Sequence, residues 1–248
     1  VEDCNDIDAD YVFDCRGTPK DLSYYNTIKN PLNSVVLGQS DEVDLTQNWT
    51  RAVATLDGWT FVIPNKDHTS YGYLYNNNIT SDFDARKSMH MTFGVLPETT
   101  LNFDNYIAKK PIQNDKVILN GNKLLFIEPL EASAVECYLR WTSLVCQWIF
   151  DNRSKTSVLK EFFFDMGEHE NFVLWHYANG SKWDTDFWQH AMTMSRNHTY
   201  DERFFKFIET AQSKSRIELI DQTDESTYGQ WHNTSFKNWI DNIFPHQE

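Results

Sequence analysis

The sequence has no apolar run long enough to span a bilayer and no cluster of basic residues. The first absence argues against a membrane protein, and no secretory leader is evident. The second goes with a formal net charge of −14 and a pI near 4.9. Together they argue against a general affinity for nucleic acid or anionic lipid. A cytoplasmic location is expected. Cysteine is scarce. The four residues, Cys4, Cys15, Cys137 and Cys146, show no C-x-x-C spacing and no neighbouring histidine pair, so neither zinc nor a disulfide framework is expected. Cys137 and Cys146 fall in an aromatic helical pattern and read as buried thiols. Nine glycines and seven prolines form no low-complexity linker, and no G-x-G-x-x-G dinucleotide fingerprint occurs. Six N-x-[ST] sequons (Asn48, Asn78, Asn152, Asn179, Asn197 and Asn233) carry little weight in a chain rich in Asn, Ser and Thr. An initiator Met is missing too. The chain opens Val1-Glu2-Asp3-Cys4 and goes almost at once into a buried-strand pattern, which reads as a chain cut from something longer.

What the sequence does have is apolar and aromatic bulk. It is 248 residues long, 40% hydrophobic and 15% aromatic, enough for one large core or two modest ones. Tyr11–Gly17 reads as a short buried strand ending in a turn, with Pro19 as the break. Ser34–Leu37 and Arg51–Leu56 read as strands. Asp57-Gly58 signals a hairpin into Trp59–Pro64, whose alternation puts Trp59, Phe61 and Ile63 on one face. Tyr71–Tyr75 is a further aromatic strand, so 34–75 reads as an antiparallel sheet with an aromatic face. A helix is expected over 81–92, capped by Ser81 or Asp82. Leu101–Phe103 and Lys116–Asn122 read as strands. From 129 onward the pattern is mostly helical: 132–150, about 156–178, 184–195 and 201–213, then a looser aromatic tail to Phe244. Sheet first and helices second indicates α+β, or α/β with an appended helical part.

The segment Phe126-Ile127-Glu128-Pro129-Leu130-Glu131-Ala132-Ser133-Ala134 stands apart. Two glutamates flank a proline-led turn, and small residues then open a strongly patterned helix. Pro129 fits before or within a first turn, where its missing N–H is not needed. The N–H groups of Ala132, Ser133 and Ala134 are the expected unsatisfied donors of that turn. Aligned dipoles and free donors suit an anion. The plain alternative is an ordinary helix start with Glu131 complementing the dipole.

Four segments in this order carry a family resemblance. Ala9–Gly17 resembles a late strand of a FAD domain that ends Asp-Cys-Ser/Thr-Gly. Gly58-Trp59-Thr60-Phe61-Val62-Ile63-Pro64, followed by Tyr71–Tyr75, resembles a W-x-W-x-I-P signature and the G-Y-x-Y strand after it. Gly121–Ser133 resembles G-N-A-A-G-F-x-E-P-L-E-A/S-T. His176-Tyr177 with Lys182–Trp188 resembles a helical H-Y…D-T-x-F-W segment. The chain is similar to the C-terminal half of a flavin-dependent tryptophan halogenase. The resemblance implies an FAD/NAD(P)-binding Rossmann-like halogenase/monooxygenase fold. Residues 1–128 would hold the remainder of the FAD-binding domain plus the antiparallel substrate-side sheet, and 129–248 a mainly helical substrate-binding lobe. Departures are Phe61 where a second Trp is usual, Lys123-Leu124-Leu125 in place of Ala-Ala-Gly, and Ser133-Ala134 in place of Thr-Gly. The family's catalytic lysine, in the N-terminal part, has no counterpart here.

The resemblance also implies a chemistry. Reduced FAD supplied by a separate flavin reductase, oxygen, and chloride, bromide or iodide give hypohalous acid, which halogenates an indole- or phenol-like molecule. Glu131 matches the catalytic glutamate. Ser133 and Ala134 are the halide-binding candidates, and Gly121, Asn122, Pro129 and Gly17 the cofactor-binding ones. For Gly121 and Asn122 a simple strand-end turn is the alternative. Trp59, Phe61, Ile63 and Pro64 would wall substrate from flavin, with a core strand face as the competing role, above all for Ile63. Glu128 is expected to be structural, capping local N–H groups. Of Trp183, Phe187, Trp188, Tyr228, Trp231 and Trp239, most are expected in the core; Trp231, in a loop-like polar stretch, is the substrate-binding candidate. His176 reads as a satisfied core histidine. Self-association is left open. Two other readings stand beside the halogenase: a related flavin hydroxylase, towards which Phe61 leans, and a catalytically incomplete fragment acting as a binding module.

Overall fold

The structure, a computed structural model, describes residues 3–43, 46, 49–215, 218–219, 227–229 and 231–243; the side chains of Glu131, Asn242 and Ile243 lie outside that description. The Asn48 sequon and Phe244 lie outside the described residues as well. Strands β1 (Val12–Asp14), β2 (Tyr25–Thr27), β3 (Ser34–Ser40), β4 (Arg51–Thr55), β5 (Gly58–Pro64) and β6 (Thr69–Tyr75) precede helix α1 (Asp82–Phe93). Strands β7 (Pro97–Asn102), β8 (Tyr106–Ala108), β9 (Ile112–Gln113), β10 (Val117–Leu119) and β11 (Leu125–Phe126) follow. Helices α2 (Ser133–Phe150), α3 (Lys155–Asn179), α4 (Asp186–Arg196) and α5 (Glu202–Ser213), a hairpin of β12 (Thr227–Tyr228) and β13 (Trp231–His232), and α6 (Asn233–Ile243) complete the chain. The fold is mixed α/β with the sheets first and the helices after.

The expected antiparallel sheet is present with five strands in the order β4-β5-β6-β3-β7. Its β4–β5 turn is Leu56-Asp57, and Gly58 already pairs with Thr55 as the first residue of β5. Period-two alternation gives the sheet two buried faces. Val36, Tyr73 and Tyr75 pack under α1 with Ala85, Met89 and Val95. Leu32, Val35, Trp59 and Leu74 pack on the other side against Val173 and Tyr177 of α3 and Phe187, Trp188 and Ala191 of α4.

A second core joins the small sheets to the helices. Parallel strands β1 and β10 pair from Val12↔Val117 to Asp14↔Leu119. Val117, Ile118, Leu119 and Leu125 pack with Trp141, Leu144 and Val145 of α2 and Val158 and Phe162 of α3. The Trp141 indole N–H donates to the Leu119 carbonyl at 2.8 Å, fixing α2 to β10. The third core, Phe172, Phe204, Phe207, Tyr228, Trp231, Phe236 and Ile240, closes α3, α5, α6 and the hairpin. The apolar spacing in 202–213 and 233–243 that produces this packing is that of amphipathic helices.

Ser81, Ser154, Thr185 and Asp201 cap α1, α3, α4 and α5, each with a side-chain oxygen accepting an N–H of the first turn. Cys137 and Cys146, expected buried, are half-buried because they sit at the flank of α2; Cys4 is the buried thiol, and all four are free. No helix among the described residues is long and apolar enough to cross a membrane.

Candidate active site

Strand β11 delivers the chain into the Glu128–Ser133 segment. Leu130–Ala132 form a 3-10 turn, and α2 starts at Ser133. Ala132 takes up the left-handed conformation, φ 52° and ψ 25°, and no side chain caps the helix. The expectation that the Ala132 N–H is free is corrected: it donates to the Pro129 carbonyl at 2.9 Å, because the 3-10 turn closes on it. Ser133 and Ala134, in the first helical turn, have no helical acceptor for their N–H groups. Ser133 is buried, its Oγ donating to the Leu130 carbonyl at 3.0 Å and lying 3.0 Å from Nε2 of His169. Burial and the nearby His176 push His169 down to about 3, so this imidazole is neutral at neutral pH. Ala134 is half-buried against the second core. The backbone of Glu131 lies in the 3-10 turn; its side chain is outside the described residues.

Glu128 departs furthest from expectation. Rather than capping backbone alone, its carboxylate, 1% exposed, accepts the Tyr177 hydroxyl at 2.7 Å and the Trp59 indole N–H at 3.0 Å. Its own N–H donates to Asn105 Oδ1 at 2.8 Å. Burial outweighs these donors and pushes Glu128 up to about 7. Charge on Glu128 in turn holds the Tyr177 phenol well above its ordinary value, together with burial, the larger cause.

Trp59 is thereby a core residue bonded to the turn. Its ring meets Phe61 edge-on at 6.4 Å. Phe61 lies over Gly72, where an added Cβ would stand 2.1 Å from its ring. Ile63 and Pro64 are half-buried farther along β5, and Ile63 belongs to none of the four buried clusters, so the expected core role does not hold for it.

Gly17 and Gly121 come to the same end of the β1–β10 pair, three residues past Asp14 and two past Leu119. Both have left-handed φ, 75° and 57°, and a Cβ at either would meet nothing within 4 Å. Carboxyl ends of parallel strands are where open α/β sheets take ligands. The Gly121 N–H, however, donates to the Asn120 side chain at 2.8 Å. Asn122 is held through its carbonyl by Tyr106 and through Oδ1 by Tyr138. Pro129 precedes the 3-10 turn and its carbonyl closes it.

Trp231 lies in β13, not a loop. It is 7% exposed and stacks on Phe172 at 3.6 Å with His169 5.2 Å away. It lines a cavity of about 510 Å³ between α2, α3 and the hairpin. His169 lines the same cavity, so one imidazole separates it from Ser133. Phe187, Trp188 and Tyr228 are core; Trp183 is exposed, and Trp239 packs half-buried on Trp175. His176 is buried, its Nδ1 2.8 Å from the Phe172 carbonyl. Sequence reasoning missed Tyr177 and His169 as members of this constellation. Their signal was a polar tip repeating on the apolar face of one helix, His169, His176 and Tyr177.

A family model described as tryptophan halogenase matches residues 1–240. The chain belongs to the tryptophan halogenase family. Among curated members it is 22% identical to the tryptophan 7-halogenase KtzQ of Kutzneria sp. (strain 744), over 94% of this chain and 46% of that protein. It is 25% identical to the tryptophan 7-halogenase RebH of Lentzea aerocolonigenes, over 74% of this chain and 38% of that one. The chain thus spans less than half the length of these curated halogenases. Of solved structures, MibH, a tryptophan 5-halogenase, superposes with a TM-score of 0.76 at 17% identity, covering 96% of this chain and 50% of that one. Xcc4156, a flavin-dependent halogenase from Xanthomonas campestris, gives 0.74 at 16% identity, over 97% and 50%. These halogenase folds match the expected Rossmann-like class.

Proposed function

We propose that the chain forms the substrate-side half of a flavin-dependent halogenase acting on an aromatic, indole- or phenol-like small molecule. The observation that carries this reading is the fixed Glu128–Ser133 turn. It is tied to the aromatic strand through Glu128 and, through the Ser133–His169 contact, to the wall of a cavity lined by Phe162, Phe164 and Trp231 together with acidic and basic side chains. In this reading residues 1–128 bring the remainder of the FAD domain and the substrate-side sheet, and 129–248 the helical lobe.

The residues fit the groups the reading needs. Gly17 and Gly121 leave open space at the carboxyl ends of β1 and β10 for a flavin nucleotide. Reduced FAD with oxygen supplies the oxidising equivalent for hypohalous acid, and a flavin reductase is the partner that delivers it. The Ser133 and Ala134 amides would hold chloride, bromide or iodide with the dipole of an 18-residue helix behind them. The Ser133 hydroxyl, committed to Leu130 and His169, leaves that task to the N–H groups. Glu131 would hold the hypohalous oxygen or accept the proton the arene loses. Trp231 would give the arene a ring to lie against. Trp59 and Phe61, packed edge-on, would form the wall between flavin and substrate.

This half alone is expected to be incompetent, so the test supplies it joined to the N-terminal half that the reading requires, with reduced FAD, oxygen, bromide and a panel of indoles and phenols. Products carrying the bromine isotope doublet are expected; hydroxylated product independent of bromide removes the halogenase reading. Glu131→Gln should lower turnover by about 10²–10⁴-fold, the usual contribution of a positioned acid or base. Unchanged turnover would remove that role.

A further inference from the structure

One buried carboxylate has no cationic partner among the described residues, and the proposed chemistry does not use it. Glu128 is 1% exposed, and its side-chain donors are both neutral: the Trp59 indole and the Tyr177 hydroxyl. Each carboxylate oxygen accepts one of them, Oε2 from Trp59 and Oε1 from Tyr177. They come from two distant elements, β5 and α3, while the residue they grip leads into the 3-10 turn. Tyr177 is the titratable group among them. Trp59 and Tyr177 are also bonded to each other at 3.1 Å, so the three side chains form a closed ring of contacts.

Such an arrangement is costly. A buried carboxylate without a counter-charge disfavours its own ionisation, and apolar residues of similar volume hold a core together at least as well. What apolar packing does not supply is direction. Hydrogen bonds to one small group specify where three elements stand relative to one another. The element most in need of direction is the turn. Its Ala132 holds a left-handed conformation that its side chain disfavours, and α2 begins there without a side-chain cap.

We propose that Glu128 is a positioning residue: gripped by Trp59 and Tyr177, it fixes the Pro129–Ser133 turn against the aromatic strand, so that Glu131 and the amides of Ser133 and Ala134 meet substrate and halide from a set frame. This rests on the halogenase reading of the same turn. Glu128 itself touches neither substrate nor halide. Replacing its acceptor set with an amide turns one acceptor atom into a donor facing the Trp59 N–H or the Tyr177 hydroxyl. The turn then loses its register with β5 while the cores around it stay packed.

The experiment compares Glu128→Gln, Glu128→Asp and Tyr177→Phe with the unchanged protein, each joined to the N-terminal half that the halogenase reading requires, in bromination of an indole, alongside the ¹⁵N-edited indole N–H resonances. The Trp59 resonance is identified by its loss in Trp59→Phe. Glu128→Gln should unfold as cooperatively as the parent, lose about 10²-fold in kcat with KM nearly unchanged, and shift the Trp59 resonance. Glu128→Asp should restore part of both. Tyr177→Phe, which keeps the carboxylate, should lose about tenfold in kcat, and it is the deciding variant where Glu128→Gln does not fold. Parent-like kcat in Glu128→Gln, or in Tyr177→Phe if that is the variant that folds, overturns the positioning role and leaves the halogenase reading standing. An unmoved Trp59 resonance in Glu128→Gln overturns it whatever the activity. A parent that brominates nothing brings down the halogenase reading first, and the positioning role with it.

Discussion

Trp59 and Tyr73 sit on neighbouring strands of one sheet, on opposite faces, both buried, and each passes its polar tip to a carboxylate. Tyr73 donates to Asp57 at 2.6 Å; Asp57 also accepts the Thr80 hydroxyl and lies in the β4–β5 turn at the sheet's rim. Trp59 donates to Glu128, which is enclosed on all sides. The first pair ends a strand connection. The second joins the sheet, α3 and the turn that opens α2. Aromatic content therefore does not distinguish a scaffold face from a site face; what the polar tip reaches does.

That contrast can be broken by substitution. Trp59→Ala should cost about 3–5 kcal/mol, the range for emptying a buried aromatic position, and it also strips a donor from Glu128. A urea midpoint shifted no more than for the Tyr73 variant below would mean that the two faces are equivalent. Next in size is the pH dependence of Glu128. Its folded value, pushed up to about 7 by burial, lies above the ordinary 4.5. Between the two, the folded chain keeps a proton that the unfolded chain releases. Its contribution to stability is therefore full below about 4.5, declines as pH rises, and is gone above about 7. At about 1.4 kcal/mol per unit, that decline amounts to at most about 3.5 kcal/mol. Unfolding titrations should show it in the parent and not in Glu128→Gln; equal slopes would deny Glu128 a shifted value. Tyr73→Phe should cost about 1 kcal/mol, one hydrogen bond whose carboxylate keeps Thr80. Ala132→Gly should be the smallest effect, stabilising by up to about 1 kcal/mol because it removes the Cβ penalty of a left-handed residue. Thermal denaturation showing a loss instead would mean that Ala132 packs usefully.

Much of the fold is legible in the sequence where the determinants are local. The apolar spacing of Val135, Tyr138, Leu139, Thr142 and Val145 predicts α2 within a residue of its observed start, and alternation predicts β5 and β6. Short strands β2, β8 and β11 leave no such trace, because two or three residues carry no period and their pairing is with distant partners. The same holds at the site. Glu128 lies 69 residues from Trp59 and 49 from Tyr177. A single acid between Ile127 and Pro129 in an apolar run is the only local hint that it is buried. The left-handed Ala132 has no signal, since nothing in Glu-Ala-Ser requires positive φ; the 3-10 turn closing on Pro129 imposes it. Trp231 reads as a loop residue because Gly229 and the polar stretch before it mask a two-residue strand.

The hollow at Gly72 also bears on how Phe61 can be altered. Phe61 rests where a methyl at 72 would have to be, so these two positions share one volume across the β5–β6 pair. A bulkier ring at 61 is admissible only while 72 stays bare, and any side chain at 72 requires a smaller partner opposite. Libraries meant to reshape this part of the sheet should therefore vary the two codons jointly, since each alone samples mostly collisions or voids.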